Sequence, residues 1–459
     1  MNHARLSLWC FRGLTALLVA LCGLFLWHTL AVLSLRLPLD PNEGWNAYHS
    51  LSAWGGLYPP KDAYLVNNYP PLSFYVIALI KPIFGDAIVA GRMVSLVSMA
   101  VVVTCLYGCA RRMGATRAAA AFGGLFLFGG LLIFTDYVGM DDPQLFAHAL
   151  SLTGFGVLLR WRTRPALIAA AVLFVLAFFV KHNVVVLAAV CALWLLLTDR
   201  RRFWPFAIAG LALLLGGLVL FYGLYDVPLW QVLASARSYS WDLLWAGACS
   251  WLRWSLVPLI GLGALWFHRH DPWLTLTSLY AVAAILLGLY FIGGAGVDAN
   301  ALFEADIALS FVVALTLTRL SYRPVWASLL LVPFVLGSVQ HVRDYGPVDF
   351  FVPARSVAVA QSDIAFLQSH PGAGMCAMLS LCYWAGKAPE VDFFNTGEAF
   401  ATQNRDDSDL VHRLERADFA VIQFDPDSDD ALGPNVQAAV ARFYRLDHRD
   451  DFGSFYLPR

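Results

Sequence analysis

The sequence predicts an α-helical polytopic membrane protein of about eleven transmembrane helices, followed by a small C-terminal extracytoplasmic α/β domain. Three observations lead there. The 459 residues are 59% hydrophobic and 14% charged, with a mean hydropathy of +0.63. A soluble domain is about one-quarter charged and cannot shelter that much apolar surface from water. Apolar runs of spanning length recur down to about residue 341, and then the pattern stops. Charge also divides there: residues 342–459 hold 18 of the 32 acidic and 10 of the 31 basic groups, a net −8, against +7 before them.

The first run, 14–35, is a full spanning length rather than the short apolar core of a secretory peptide. No small-residue cleavage site closes it, so an uncleaved first helix is expected. Ten further runs lie near 88–110, 117–135, 143–159, 165–180, 184–198, 205–224, 249–267, 273–293, 301–318 and 324–341. The loops between them alternate in charge. The N-terminal segment and the loops at 111–117, 160–164, 199–202, 268–271 and 319–324 hold 14 of the 21 basic residues of the first 341, with only Asp199 and Asp271 as acids. Basic loops stay in the cytoplasm. The acidic loops and the C-terminal tail therefore face outward, as expected for the bacterial inner membrane. No block of positive charge suggests nucleic acid.

The long first outer loop (36–87) holds the densest chemistry. In DPNEGWNAYHS, Asp40 and Glu43 stand where a helix begins, and Asn46 and His49 follow at helical spacing. A carboxylate there serves as a cap or first-turn acid; two of them beside an aromatic loop can instead supply a general base. Asn67, Asn68 and Tyr69 precede Pro70-Pro71, a rigid turn whose amides and hydroxyl suit a polar ligand such as a sugar. PPLSFYVIALIKPIFG (70–85) is too short and interrupted to span and reads as an interfacial helix.

Three later outer loops add candidates. Asp142-Pro143 is a helix-start pair, leaving Asp141 to orient another carboxylate or, with Asp142, to hold a divalent cation. No other cofactor is implied. Lys181, one of only four lysines, sits with His182 in a hairpin between two apolar helices, where an ammonium either snorkels or meets an anion such as a lipid phosphate. Gly293–Asn300 is glycine-rich, and Asp298, Asn300 and Glu304 open an otherwise apolar helix as candidate cavity-lining groups.

Beyond 341, β-rich runs at 375–379, 419–424, 443–448 and 454–458 alternate with helical patterns at 355–369 and 408–416, an α/β arrangement with no catalytic motif. Cys376 and Cys382 are the two cysteines of this tail, and an extracytoplasmic tail permits a disulfide between them.

Taken together, the carboxylates after the first helix, the PPLSFY entry to a surface helix, the acids at Asp141–Asp142 and Lys181 in a later hairpin resemble the GT-C glycosyltransferase superfamily. The likeness is nearest to protein O-mannosyltransferases and the lipid A aminoarabinose transferase, family 39-like enzymes, and covers roughly residues 1–341. The resemblance implies a polyprenyl-phosphate-linked sugar as donor, an extracytoplasmic lipid, glycan or protein as acceptor, and inversion at the anomeric carbon. It also implies a first-loop acid as base (Asp40 or Glu43), assistance from Asp141 or Asp142, and a phosphate grip by Lys181. Where relatives often have adjacent Asp-Glu, Asn42 here precedes Glu43, so the choice of base stays open. A transporter or flippase would instead carry midplane charges and inverted repeats, and a scaffold would need none of these residues.

Overall fold

The computed structural model describes residues 3–60, 62–234, 237–265, 271–426 and 431–459. Every apolar run of the sequence is a helix over its described residues; 266–270, which hold the end of the run at 249–267 and most of the basic loop at 268–271, lie outside them. In order, the chain forms α1 (His3–Val32), α2 (Pro41–Leu51), α3 (Leu72–Phe84), α4 (Ala87–Arg112), α5 (Arg117–Phe134), α6 (Gln144–Arg160), α7 (Arg164–Val180), α8 (Val186–Thr198), α9 (Arg200–Tyr225), α10 (Leu229–Leu233), α11 (Trp241–Leu265), α12 (Pro272–Ile292), α13 (Phe303–Arg319) and α14 (Arg323–Tyr345).

Among the described residues, eight helices are long and apolar enough to cross a membrane. Three others are shorter than expected for a span: α6 and α7 have 17 residues each and α8 has 13. At 1.5 Å per residue, α8 covers about 20 Å of a hydrocarbon layer about 30 Å thick. The predicted interfacial segment is α3, which packs on α2 and α4.

The helix α13 organises the bundle. It is buried along nearly its whole length and packs on α5, α11 and α12. Small residues allow the close approach: a Cβ on Gly123 would press on Ser310 and Ala314 of α13, and one on Gly130 on the Trp254 ring of α11. Between apolar helices in lipid such contacts replace the hydrophobic drive. Interactions also bind each end of the bundle. At the basic end Arg319 pairs with Asp271, and the Thr116 amide donates to Thr318 Oγ1 at 3.0 Å. At the opposite end lie α2, α3, the acidic loops and the rest of the chain.

That remainder comprises α15 (Pro347–Phe351), α16 (Ala354–Ser369), β1 (Ala373–Cys376), α17 (Leu379–Trp384), α18 (Phe393–Ala401), α19 (Ser408–Glu415), β2 (Phe419–Phe424), α20 (Pro434–Phe443), β3 (Tyr444–Asp450) and β4 (Gly453–Pro458). The strands form one sheet in the order β1-β2-β4-β3, with β1 and β2 parallel and the other pairs antiparallel. A parallel neighbour needs a long crossover, supplied here by α17, α18 and α19. The expected strand at 375–379 ends early, because Leu379 already begins α17. Cys376 and Cys382 form the disulfide the sequence permitted, with Cα atoms 6.0 Å apart, joining the end of β1 to α17.

Candidate functional site

At the acidic end of the bundle the first structural feature is an arginine that the sequence reading passed over. Arg92, in the second turn of α4, is wholly buried, and its side chain is saturated. Nε–H and one Nη donate to the two oxygens of Glu43 at 2.7 and 2.6 Å. The remaining N–H groups go to main-chain carbonyls after α1: Val32 at 3.2 Å, Leu35 at 2.9 Å and Leu37 at 2.7 Å. Helix C-termini leave carbonyls without partners, and Arg92 collects them while forking onto a carboxylate, the bidentate geometry arginine favours. Glu43 also accepts from the Asp141 amide at 3.1 Å. Both side chains of the pair are 0% exposed. The Glu43 carboxylate thus braces α1, α2, α4 and the Asp141 loop against one another. The signal in the sequence was a lone arginine just inside an apolar helix, on the side that holds the acids.

The Asp141 loop is fixed from the α2 side as well, because Asn46 Nδ2 donates to the Asp141 carbonyl at 2.7 Å. The Asp141 side chain lies against Gly91, where a Cβ would overlap its carboxylate, and its Oδ2 is buried without a hydrogen-bond partner. Burial, then the charges of Glu43 and Asp142, push its pKa well above the usual carboxylate range. Asp142 has the helix-start role expected of it, with Oδ1 accepting from the Gln144 amide at 2.7 Å.

The other oxygen of Asp142 faces Lys181. The ammonium lies 3.4 Å from Asp142 Oδ2 and 3.4 Å from the centre of the Tyr69 ring. Lys181 is almost completely buried, so it does not snorkel to water; it is held by a carboxylate on one side and a π face on the other. His182 stands beside it, its ring 6.5 Å from that of Tyr69. Burial and the nearby Lys181 and Arg237 cations lower the His182 pKa to about 4. Arg237 is a second residue the sequence reading missed. Its Nη1 donates to the Ala295 carbonyl at 2.9 Å, and its guanidinium caps the Phe394 ring. The charges of two cations therefore reach Tyr69 and His182.

Asp40 caps α2, accepting from the Asn42 amide at 2.7 Å. Its second oxygen is not committed to that cap. Burial raises its pKa to about 7 against the opposing pull of the Asn42 amide, with Glu43, Asp142 and Asp298 adding negative charge nearby. Asp298 is exposed on the wall of a cleft of about 750 Å³. This cleft is also lined by Trp251, Trp254, Leu336 and His341, a size and an apolar character usual for ligand sites.

The remaining sequence candidates divide by what their side chains touch. Glu304 does not line this cavity. Its carboxylate accepts the Val185, Val186 and Leu187 amides at 3.2, 2.9 and 3.0 Å, filling the positive N-terminus of α8. Asn300 lies in the short 3-10 turn Ala299–Leu302. His49 is enclosed: its ring lies 4.3 Å from Trp45, its Nε2 is 3.2 Å from the Val66 carbonyl, and burial lowers its pKa to about 3. Asn68 reaches out of the bundle, donating to Asn395 Oδ1 of α18 at 3.2 Å.

Comparison with known proteins bears on the fold. A family model described as dolichyl-phosphate-mannose-protein mannosyltransferase matches residues 68–225. No curated protein matches. Among solved structures, ArnT from Cupriavidus metallidurans is similar in its apo state, with a TM-score of 0.62 at 14% identity over 97% of this chain and 98% of that one. Its form bound to undecaprenyl phosphate gives the same values: TM-score 0.62, 14% identity, 97% and 98% coverage. The apo oligosaccharyltransferase of Archaeoglobus fulgidus has a TM-score of 0.56 at 11% identity, over 97% of this chain and 74% of that one. The chain thus shares the fold of these solved structures over nearly its whole length, and its residues 68–225 match the mannosyltransferase family model.

Proposed function

We propose that this protein transfers a sugar from a polyprenyl-phosphate donor to an extracytoplasmic acceptor hydroxyl, with inversion at the anomeric carbon. The observation that carries this reading is Lys181: an ammonium held in the bundle between the Asp142 carboxylate and the Tyr69 face. An ammonium at this depth, with one carboxylate and one π face as partners, has donors left for an anion. The phosphate of a lipid-linked sugar fits, with Arg237 as a second cation whose charge also reaches Tyr69 and His182. The ArnT relative has been solved with undecaprenyl phosphate bound, which supports this class of donor.

The same end of the bundle would face the periplasm of a bacterial inner membrane, since the basic loops lie at the other end. Asp40 is the base in this mechanism, because Glu43 is occupied by Arg92. The acceptor oxygen attacks the anomeric carbon as its proton passes to Asp40, and the bond from that carbon to the phosphate oxygen breaks. The electron pair leaves with the phosphate, where Lys181 and Arg237 stabilise the growing charge. Asp142 anchors the Lys181 ammonium, and Asp141 holds the loop that carries it. The 750 Å³ cleft offers apolar surface for a lipid-borne substrate.

The test is reconstitution in liposomes with a panel of polyprenyl-phosphate sugars, following release of polyprenyl phosphate. Wild type should consume at least one donor, Asp40→Asn should lose turnover by about 10²-fold or more, and Lys181→Ala should weaken donor use. Consumption of no lipid-linked sugar, or full activity in both variants, overturns the proposal.

A further inference from the structure

The sheet at the C-terminal end holds a cluster that sugar transfer does not use. Asp363, on α16, is buried, with its side chain 2% exposed, and its Oδ1 faces His448 Nε2 at 3.9 Å. Asp450 Oδ2, at the end of β3, faces the same nitrogen at 3.6 Å. One donor atom from each of the three residues lies within 4.8 Å of the others.

These separations are too long for hydrogen bonds, which need about 2.7–3.2 Å. They are close to the separation of about 3.4 Å between two ligands at 2.0–2.2 Å from a tetrahedral ion. The imidazole is already oriented for such a role. His448 Nδ1 lies 2.9 Å from Asp447 Oδ2; an ionised carboxylate there takes the Nδ1 proton as donor and turns the Nε2 lone pair toward Asp363 and Asp450. Outer carboxylates of this kind commonly orient metal-bound histidines. The ring is also fixed by stacking on Phe455 at 4.5 Å and by the edge of Phe366 at 4.8 Å. Asp450 uses Oδ1 to accept the Phe452 amide at 2.9 Å, leaving Oδ2 for the cluster. Asp363 Oδ2 is buried with no partner, a carboxylate oxygen that lacks a counter-charge. The site is open to solvent on one side, since the His448 side chain is 34% exposed.

We propose that Asp363, His448 and Asp450 bind a divalent transition-metal cation of the Zn²⁺ class, with Asp447 orienting the His448 ring. One nitrogen and two carboxylates favour such an ion over the all-oxygen shells of Ca²⁺ and Mg²⁺, and they leave a coordination position for water. The ion would join α16 to the β3–β4 turn. Phe452 of that turn packs with Ala360 of α16 and with Leu37 and Leu39, the residues that lead into Asp40. Metal binding therefore steadies the support of the first loop without touching the reacting groups, and the proposal stands whether or not the sugar-transfer reading does.

The test uses the full-length protein in detergent, stripped with EDTA and titrated with Zn²⁺ by calorimetry, with Co²⁺ absorption as a spectroscopic readout and Mg²⁺ as comparison. Wild type should take up one equivalent saturably and unfold at a higher temperature when loaded. His448→Gln and Asp363→Asn should lose that uptake and that thermal shift while unfolding, metal-free, as a cooperative protein. Asp447→Asn should bind about 10–100-fold more weakly. The proposal is overturned if wild type takes up no stoichiometric Zn²⁺, if Mg²⁺ binds as tightly, or if both ligand variants bind Zn²⁺ as wild type does.

Discussion

Glu43→Gln separates the two carboxylates that open α2. The Glu43 and Arg92 side chains are both 0% exposed and joined by two hydrogen bonds of 2.7 and 2.6 Å. Glutamine keeps the shape but removes the charge, and its NH2 group faces a guanidinium that donates only and has no acceptor for it. Breaking a buried pair from one side costs about 3–5 kcal/mol, because the surviving charge is left uncompensated. The loss should appear as a marked fall in thermal midpoint in detergent. Turnover per folded molecule should fall much less than in Asp40→Asn.

The double variant Glu43→Gln/Arg92→Leu sharpens this. It removes the stranded cation, yet it takes their side-chain donor from the Leu35 and Leu37 carbonyls, while Val32 keeps the Leu35 amide at 3.0 Å. Each orphaned buried carbonyl costs about 1–3 kcal/mol, so the double variant should recover little. A Glu43→Gln protein that melts like wild type, yet reacts about 10²-fold or more slowly, would refute the assignment of Glu43 to the frame and of Asp40 to the chemistry.

Three other outcomes follow from the same geometry. With the Asp40 carboxyl raised to about 7, a base at this position is protonated at lower pH. The rate at limiting substrate should climb as pH rises through about 7 and then level off, and Asp40→Asn should lack that climb. Gly91→Ala would drive a methyl into the Asp141 carboxylate; such overpacking costs about 1–3 kcal/mol and should lower both melting temperature and turnover. Replacing Cys376 and Cys382 by serine opens a short loop with a sequence separation of 6. This should lower the stability of the sheet region by about 2 kcal/mol, while alkylation of unreduced protein from membranes should find both thiols blocked.

The helices were legible because spanning runs are long and their loops alternate in charge. The ends of α6, α7 and α8 fall within two residues of the apolar runs that predict them. The disulfide and most of the strands could be read from short runs, but α18 and α20 could not, because their amphipathic patterns are brief and broken by glycine and proline. At the site, charge type was readable and charge partner was not. Glu43 and Glu304 look alike in sequence: each is an acid in the first turn of a helix. One is forked by Arg92 of α4 and the other fills the N-terminus of α8, and both partners are more than forty residues away. Lys181 was legible because a buried ammonium is rare enough to demand an anion. Arg92 obeys the same logic, but it lies within an apolar run that reads as membrane core.

The C-terminal sheet is better understood as part of the frame that shapes the first loop than as an appendage. Tyr48 of α2 donates its hydroxyl to the Lys387 carbonyl at 2.8 Å, and Gly44 leaves room for the main chain of Leu379 and Ser380, where any Cβ would collide. The Tyr64 carbonyl takes the Asp392 amide at 2.9 Å and the Thr396 hydroxyl at 3.0 Å. The Tyr64 ring is covered by Arg405, whose guanidinium also donates to the Asp62 and Ala63 carbonyls. Asn68 reaches Asn395 one residue before Tyr69, the ring that faces Lys181. The twenty-residue loop between α2 and α3 has few main-chain bonds of its own among the described residues, and its polar groups must find partners elsewhere. Here they find them in Asp392, in α18 and in the segment just after α18. The position of Tyr69 over the Lys181 ammonium is therefore set from two sides, by the membrane bundle below and by the sheet unit above.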